Sequence, residues 1–332
     1  MSEHESREGE DRGPRRPHGP FGLLLRSPRG AFATAVLGLL LVTAAVSLFW
    51  LPGDPNHASA YHAWLPPSGE HWLGTDGSGR DIASRLIAGS RVTVLVVLGA
   101  ALVSGAIGLV LAVLAGLGRR SLREPLIILI DVLIAFPTLL LAIMLAAVLG
   151  SGIPVVILAV GIGYGVQIAR VVRAELRQIN AEDFILAARA SGLSRWAILR
   201  THLLPNAAPV FTVQLSLSMG LAILAEAGLS YLGFGAPPGV PSWGRMLAET
   251  QAYIAIHPLV VLWPGLAITV TVLAFYLLGD ALREVMDPRL RFGRAGGGSS
   301  PDGGEGGLGT ATGLLPGVPV DPLPFDHRGG RR

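Results

Sequence analysis

Six blocks of apolar residues, each near or above the length that crosses a lipid bilayer, constrain this chain most strongly. A transmembrane helix needs about 20 consecutive, mostly apolar residues. The chain is 51% hydrophobic and only 15% charged, whereas soluble domains are about 25% charged. A soluble protein would scatter its apolar residues along the sequence. The clustering therefore predicts an all-α, polytopic membrane protein with about six transmembrane helices.

The sequence divides into one membrane domain, expected over residues 21–294, and two polar tails, 1–20 and 295–332. The tails are rich in Gly, Pro and charge, so we expect them to be disordered. The first apolar block exceeds the core of a signal peptide and lacks a small-residue cleavage site, which favours an uncleaved helix. The spans are expected near residues 31–50, 92–117, 125–149, 153–171, 207–234 and 258–278.

Arginine sets the expected topology, because all 26 basic residues are arginine. With six spans, 22 of them lie on one side of the membrane, and 4 lie on the opposite side. The 22 comprise 6 before the first span, 3 in residues 118–124, 6 in residues 170–206 and 7 after residue 280. Positive charge accumulates on the cytoplasmic side of membrane proteins. We therefore expect cytoplasmic termini and a cytoplasmic connection at 172–206. The same accounting assigns the basic residues to topology and lipid contact, with no nucleic-acid partner.

Two missing residue types narrow the chemistry. The chain has no cysteine and no lysine. Disulfides, thiol nucleophiles and Cys-based metal sites are excluded, and so is a standard Walker A motif, which needs lysine to reach the nucleotide phosphates. Three histidines, His57, His62 and His71, share one polar segment, but their irregular spacing favours solvated side chains over a metal site. We expect no catalytic residue, no metal and no cofactor.

The cytoplasmic connection contains a helix–turn–helix pattern over residues 180–206. Asn180 is expected to cap a first helix, which Gly192 ends, and Ser194 to cap a second helix, which Pro205 ends. One face of the first helix carries small and aromatic side chains at three- and four-residue spacing: Phe184, Ala187, Ala188 and Ser191. This pattern suits a short helix docked in a partner's groove, or an amphipathic segment on the membrane surface.

The segment resembles the cytoplasmic loop of ABC importer permeases. That loop has the pattern Glu-Ala-Ala, three residues, Gly, nine residues, Ile-x-Leu-Pro. This chain departs from it at two positions, with Leu186 in place of the Glu and His202 in place of the Ile. The matching residues are Ala187, Ala188, Gly192, Leu204 and Pro205.

Three further segments, 71–91, 226–246 and 279–291, resemble motifs of the C-type permease subunits of dipeptide, oligopeptide and nickel importers. The resemblance covers roughly residues 20–292. It implies a type I ABC importer permease fold and a place in a bacterial or archaeal plasma membrane. It also implies a heterodimer with a second permease, around a pathway for peptides or a related small solute. A secondary transporter driven by an ion gradient is the alternative.

The resemblance further implies the partners and the sites. Separate ABC ATPase subunits would hydrolyse ATP and contact the loop between Phe184 and Trp196, and an extracytoplasmic binding protein would deliver the solute. The expected coupling residues are Phe184, Ala187, Ala188, Gly192, Trp196, Leu204 and Pro205.

Four charged residues outside the loop are candidates for the pathway or its gate: Glu226, Asp76, Arg80 and Asp81. Acids within membrane spans are costly and often functional. For Glu226 a paired structural acid is an equal alternative. For Asp81 and its neighbours, a capped, ion-paired start of the helix that leads into the second span is the favoured interpretation. Asp131, near the cytoplasmic end of the third span, is better explained as a structural or boundary acid.

Overall fold

The computed structural model describes residues 27–286, together with Gly22, Leu24 and Leu25. The predicted tails lie outside the described residues. Within the described residues the chain is helical, with one isolated β-bridge between Thr75 and Asp81. The all-α prediction is confirmed. The helices are α1 (Pro28–Ser47), α2 (Ile82–Leu117), α3 (Arg120–Ala135), α4 (Thr138–Leu149), α5 (Ile153–Asn180), α6 (Asp183–Ala190), α7 (Arg195–Ile198), α8 (Leu204–Tyr231), α9 (Trp243–Thr250) and α10 (Pro258–Met286).

Five of the described helical stretches are long and apolar enough to cross a membrane. The predicted third span is two helices, α3 and α4, which meet at 92°. Proline explains the break. Phe136 precedes Pro137 and has an extended backbone, with ψ of 129°, because the proline ring disfavours helical geometry in the residue before it. Counted as one span, this bent pair raises the number to six.

Glycines allow α2 and α5 to pack closely and in parallel. A Cβ atom on Gly108 would lie 2.6 Å from Ile168 Cγ2, and one on Gly161 would lie 2.5 Å from Val103 Cγ1. Membrane helices commonly use small residues at such contacts. Because α2 and α5 run the same way, the end of α5 lies beside the end of α2.

The contacts of α8 and α10 define two opposite ends of the helix bundle. Gly105 of α2 faces Leu215 of α8, and Gly220 of α8 faces Phe275 of α10. These contacts, with the neighbouring Gly279–Leu217 contact, make α8 antiparallel to α10. One end of the bundle carries residues 48–81 and 232–257, and we call it the ion-paired end. The other carries residues 181–203, which join α5 to α8, and we call it the loop end.

Candidate functional site

The helix–turn–helix at the loop end starts later than its sequence predicts. Helix α5 continues to Asn180, so Asn180 does not cap α6, and Glu182 takes the N-cap position without a side-chain bond. The prediction of an Asn180 cap is wrong because its side chain has another partner. Its Oδ1 accepts a hydrogen bond of 2.6 Å from Arg189 Nη2, which ties the end of α5 to the last turn of α6.

Gly192 ends α6 as predicted. Its φ is +81°, in the left-handed region that favours glycine. The amide of Gly192 donates to the carbonyl of Arg189 at 3.0 Å, and the amide of Leu193 donates to the carbonyl of Ala188 at 3.2 Å. These two bonds form a Schellman motif. Ser194 then caps α7, accepting from the amide of Ala197 at 3.2 Å, which confirms the predicted second cap.

Pro205 does not end the second helix. The five residues Leu199–Leu203 form a π-helical turn, and the amide of Leu204 reaches back to the carbonyl of Leu199. A proline removes one backbone donor and crowds the carbonyl four residues earlier, and a widened turn can absorb both effects. Residues Arg195–Tyr231 therefore form one continuous helical run. The loop is joined rigidly to α8.

The loop has a buried face and an exposed face. Ile185 is fully buried, in a cluster with Leu176, Ile198 and Leu203. Phe184 and Trp196 are 46% and 69% exposed. Of the predicted coupling residues, five are exposed and two, Ala188 and Leu204, are partly buried against the apolar cluster. The exposed five are Phe184, Ala187, Gly192, Trp196 and Pro205.

At the ion-paired end, Asp76 and Glu249 are bridged by arginines. Arg85 donates from Nη1 to Asp76 Oδ2 and from Nη2 to Glu249 Oε2, both at 2.7 Å. Arg80 donates to the same two oxygens, at 2.9 Å and 2.7 Å, and Arg245 Nε donates to Glu249 Oε1 at 3.1 Å. Asp76 and Arg85 are 2% and 3% exposed. The cluster binds the start of α2 to the end of α9.

The charge balance of this cluster affects Glu249 most clearly. Burial alone would raise the pKa of the Glu249 carboxyl, but Arg85, and then Arg80 and Arg245, outweigh burial and hold that pKa below its ordinary value. The carboxylate is therefore the form that the folded protein favours.

Asp81 caps α2. Its Oδ1 accepts from the amide of Ser84 at 2.7 Å, and its Oδ2 lies 2.9 Å from His71 Nδ1. This is the capped helix start that the sequence allowed as an alternative to a gate. Asp131 lies on α3 with an exposed side chain. Within the described residues, no group of three or more His, Asp or Glu side chains is arranged to hold a metal ion.

Glu226 is buried in α8, 2% exposed. Its Oε1 accepts a hydrogen bond of 2.6 Å from the hydroxyl of Ser230. Beside it lies a cavity of about 550 Å³, lined from α4, α5, α8, α9 and α10. Ala225 and Ala227 contribute to the cavity wall, but Glu226 does not. Among the described residues that line the cavity there is no charged side chain, and its polar groups are Tyr164, Tyr231 and Thr269.

Known proteins match this arrangement along most of its length. The family model described as binding-protein-dependent transport system inner membrane component matches residues 108–292. The glutathione transport system permease protein GsiD of Pectobacterium atrosepticum is 40% identical over 266 residues, which cover 79% of this chain and 87% of that protein. This chain belongs to the family of ABC importer permeases, in its peptide and nickel branch.

Other relatives agree with this assignment. The nickel transport system permease protein NikC of Escherichia coli K12 is 37% identical to the permease over 258 residues, covering 78% of this chain and 93% of that one. The dipeptide transport system permease protein DppC of Alkalihalophilus pseudofirmus is 36% identical over 265 residues, covering 77% and 86%. The predicted family is confirmed, and the permease is a multi-pass inner-membrane protein.

A solved structure matches the fold. The inward-facing MetNI methionine ABC transporter superposes with a TM-score of 0.52 and 21% identity, covering 61% of the permease and 97% of the matched chain. The predicted fold, that of an ABC importer permease, is confirmed.

Sequence reasoning missed the partners that complete the charged cluster. Arg85 lies in the segment 71–91, which resembles a family motif, and Glu249 lies outside every segment that carries the resemblance. One signal was available, because Arg245 and Glu249 are four residues apart and can pair on a helix. Nothing local could pair Arg85 with Glu249, which is 164 residues away.

Proposed function

We propose that the permease forms, with a second permease in a heterodimer, the pathway of an ATP-driven importer for peptides or a related small solute. An extracytoplasmic binding protein delivers the solute, and separate ABC ATPase subunits hydrolyse ATP. Relatives named for glutathione, nickel and dipeptide transport support this class of cargo. The absence of lysine, and with it of a standard Walker A motif, supports a separate ATPase.

The loop end faces the cytoplasm in this proposal, and the ion-paired end faces outward. The arginine distribution supports it, since residues 118–124 and 172–206 carry eight arginines between them. Both termini are then cytoplasmic.

One observation supports ATPase coupling above the others. The loop leaves Phe184 and Trp196 exposed although its other face is well packed. Exposed aromatic residues on a short, fixed helix suit a groove on a partner protein. The π turn joins this surface without a break to α8, and α8 lines the cavity. Movement of a bound ATPase can therefore reach the cavity wall as a rigid-body shift.

Replacing Trp196 by alanine tests the docking surface. A central aromatic anchor contributes about 2 kcal/mol or more to a protein interface, so we expect co-purification of the ATPase subunits with Trp196→Ala to fall by roughly tenfold or more. The melting temperature of the purified permease should stay unchanged, since the indole is 69% exposed.

Phe49→Ala is the matched control, because Phe49 is 91% exposed at the opposite end of the bundle. It should leave ATPase co-purification at the wild-type level. Equal co-purification from the wild type and Trp196→Ala would rule out this surface as the docking site.

A further inference from the structure

Helix α9 lies directly against the backbones of α2 and α8. The indole Nε1 of Trp243 donates to the carbonyl of Leu86 at 2.9 Å. A Cβ atom on Gly89 would lie 2.8 Å from Trp243 Cδ1, and one on Gly244 would lie 2.2 Å from the carbonyl oxygen of Ala227. No side chain fits at either glycine, so α9 packs in a defined position against α2 and α8.

Glu226 anchors the segment that leads from α8 to α9. Its Oε1 accepts from Ser230 Oγ at 2.6 Å, and Ser230 Oγ in turn accepts from the amide of Ala236 at 2.9 Å. Arg245, in the first turn of α9, donates from Nη1 to the carbonyl of the same Ala236 at 3.2 Å. The buried carboxyl therefore fixes the exit from α8 and, through Ala236, the start of α9.

The far end of α9 is held by different chemistry. Glu249 lies one residue before the end of α9 and is bound by Arg85 and Arg80. Between the two fixed ends, Leu247 contributes to the cavity wall. The position of Leu247 in that wall thus depends on both attachments.

We propose that Glu226 is a positioning residue. It holds α9 as a fixed cap that keeps Leu247 in the cavity wall, and it contributes no charge to the cavity. Its side chain is 2% exposed and is absent from the cavity lining, whereas Ala225 and Ala227 on either side of it are present. That the cavity belongs to the transport pathway rests on the proposed function. The attachment of α9 by Glu226 does not.

Cysteine labelling in native membranes tests the attachment, and the full chain is naturally free of cysteine. Leu247→Cys introduces one thiol into the cavity wall. The rate at which this thiol reacts with a charged, membrane-impermeant maleimide measures how often α9 moves away from α2 and α8. With Glu226→Ala added, labelling should be roughly tenfold faster, because the hydrogen bonds that oppose local opening are lost. With Glu226→Gln added, labelling should stay at the rate of Leu247→Cys alone, since an amide can keep the same bonds.

Tyr61→Cys is the control for reagent access, because Tyr61 is 95% exposed at the ion-paired end. Its labelling should be the same with and without the Glu226 substitutions. If Glu226→Ala does not accumulate in the membrane, Ser230→Ala removes the middle of the same hydrogen-bond chain and should accelerate labelling of Leu247→Cys.

Unchanged labelling of Leu247→Cys in both alanine variants would overturn the proposal. So would Glu226→Gln labelling as fast as Glu226→Ala, since the negative charge would then matter beyond the hydrogen bonds. The measurement needs no solute and no ATP. The result therefore stands even if the proposed transport function fails.

Discussion

The two ends of the permease use charge in opposite ways. At the ion-paired end, Arg85 is 3% exposed and spans two acids that lie far apart in sequence. At the loop end, the ion pair between Arg120 and Glu124 is within one helix, and its side chains are 85% and 55% exposed. The first arrangement fixes separate segments against each other. The second is solvated and fixes little.

The two ends therefore differ in how much movement they can tolerate. A buried charge depends on its partners, so the segments around Arg85 must move together or not at all. The loop is instead held by an apolar cluster around Ile185 and presents its aromatic side chains outward. In the proposed function, the outward-facing end then keeps its shape while the cytoplasmic end exchanges contacts with its ATPase.

Arg85→Ala should have the largest effect, because it destabilises the ion-paired end. It removes one of the two guanidinium groups that bridge Asp76 and Glu249. Removing one partner of a buried ion pair costs up to about 3–5 kcal/mol, and Arg80, which still binds both acids, reduces that cost. We expect a clear drop in the melting temperature of the permease in detergent. Arg85→Lys should restore little, because an ammonium cannot replace the two arms of the guanidinium.

Arg120→Ala is the control for that experiment. Exposed pairs within a helix contribute about 0.3–0.5 kcal/mol, so its melting temperature should match that of the wild type. Equal effects of Arg85→Ala and Arg120→Ala would remove the difference between the two ends.

Gly192→Val should have a smaller effect, confined to the loop. A β-branched residue at a φ of +81° costs on the order of 1–2 kcal/mol. A Cβ at this glycine would meet nothing within 4 Å, so the cost is backbone strain. We expect normal membrane abundance with reduced ATPase co-purification and loss of uptake. Gly192→Asn, which tolerates the left-handed region, should retain co-purification. Loss of the protein itself would instead assign Gly192 to folding.

Local sequence signals predicted the loop better than the ion-paired end. The Gly192 stop and the Ser194 cap depend on residues within a few positions, so their chemistry is visible in the sequence. The Pro205 prediction failed because a proline rule assumes regular α-helix, and the π turn at Leu199–Leu203 changes the geometry before it. Helix continuation past 171 was missed because charged residues can extend a membrane helix into water.

The apolar blocks predicted the helices, but not how they meet. The Arg85–Glu249 pair and the packing of α9 against Gly89 can be predicted only from the three-dimensional arrangement of α2, α8 and α9. The break at Pro137 was visible as a proline, yet its 92° angle was not. For Glu226 the sequence left pathway and structural acid equally open, and the hydrogen bond from Ser230 favours the structural one.

Acid pH should lower the stability of the ion-paired end only modestly, through protonation of Glu249. Because the pKa of Glu249 is lowered in the folded permease, its contribution to stability is complete above the unfolded-state pKa of about 4.3. That contribution is lost as the pH falls through the lowered folded pKa. The effect is modest, since the Glu249 side chain is 25% exposed.

Other acids also titrate in this pH range, so the useful quantity is the difference in melting temperature between wild type and Glu249→Gln. The gap between their melting temperatures should be constant from pH 7 to pH 5 and should narrow below about pH 4.3. A gap that stays constant to pH 3, or widens, would mean that Glu249 is not held by the arginines around it.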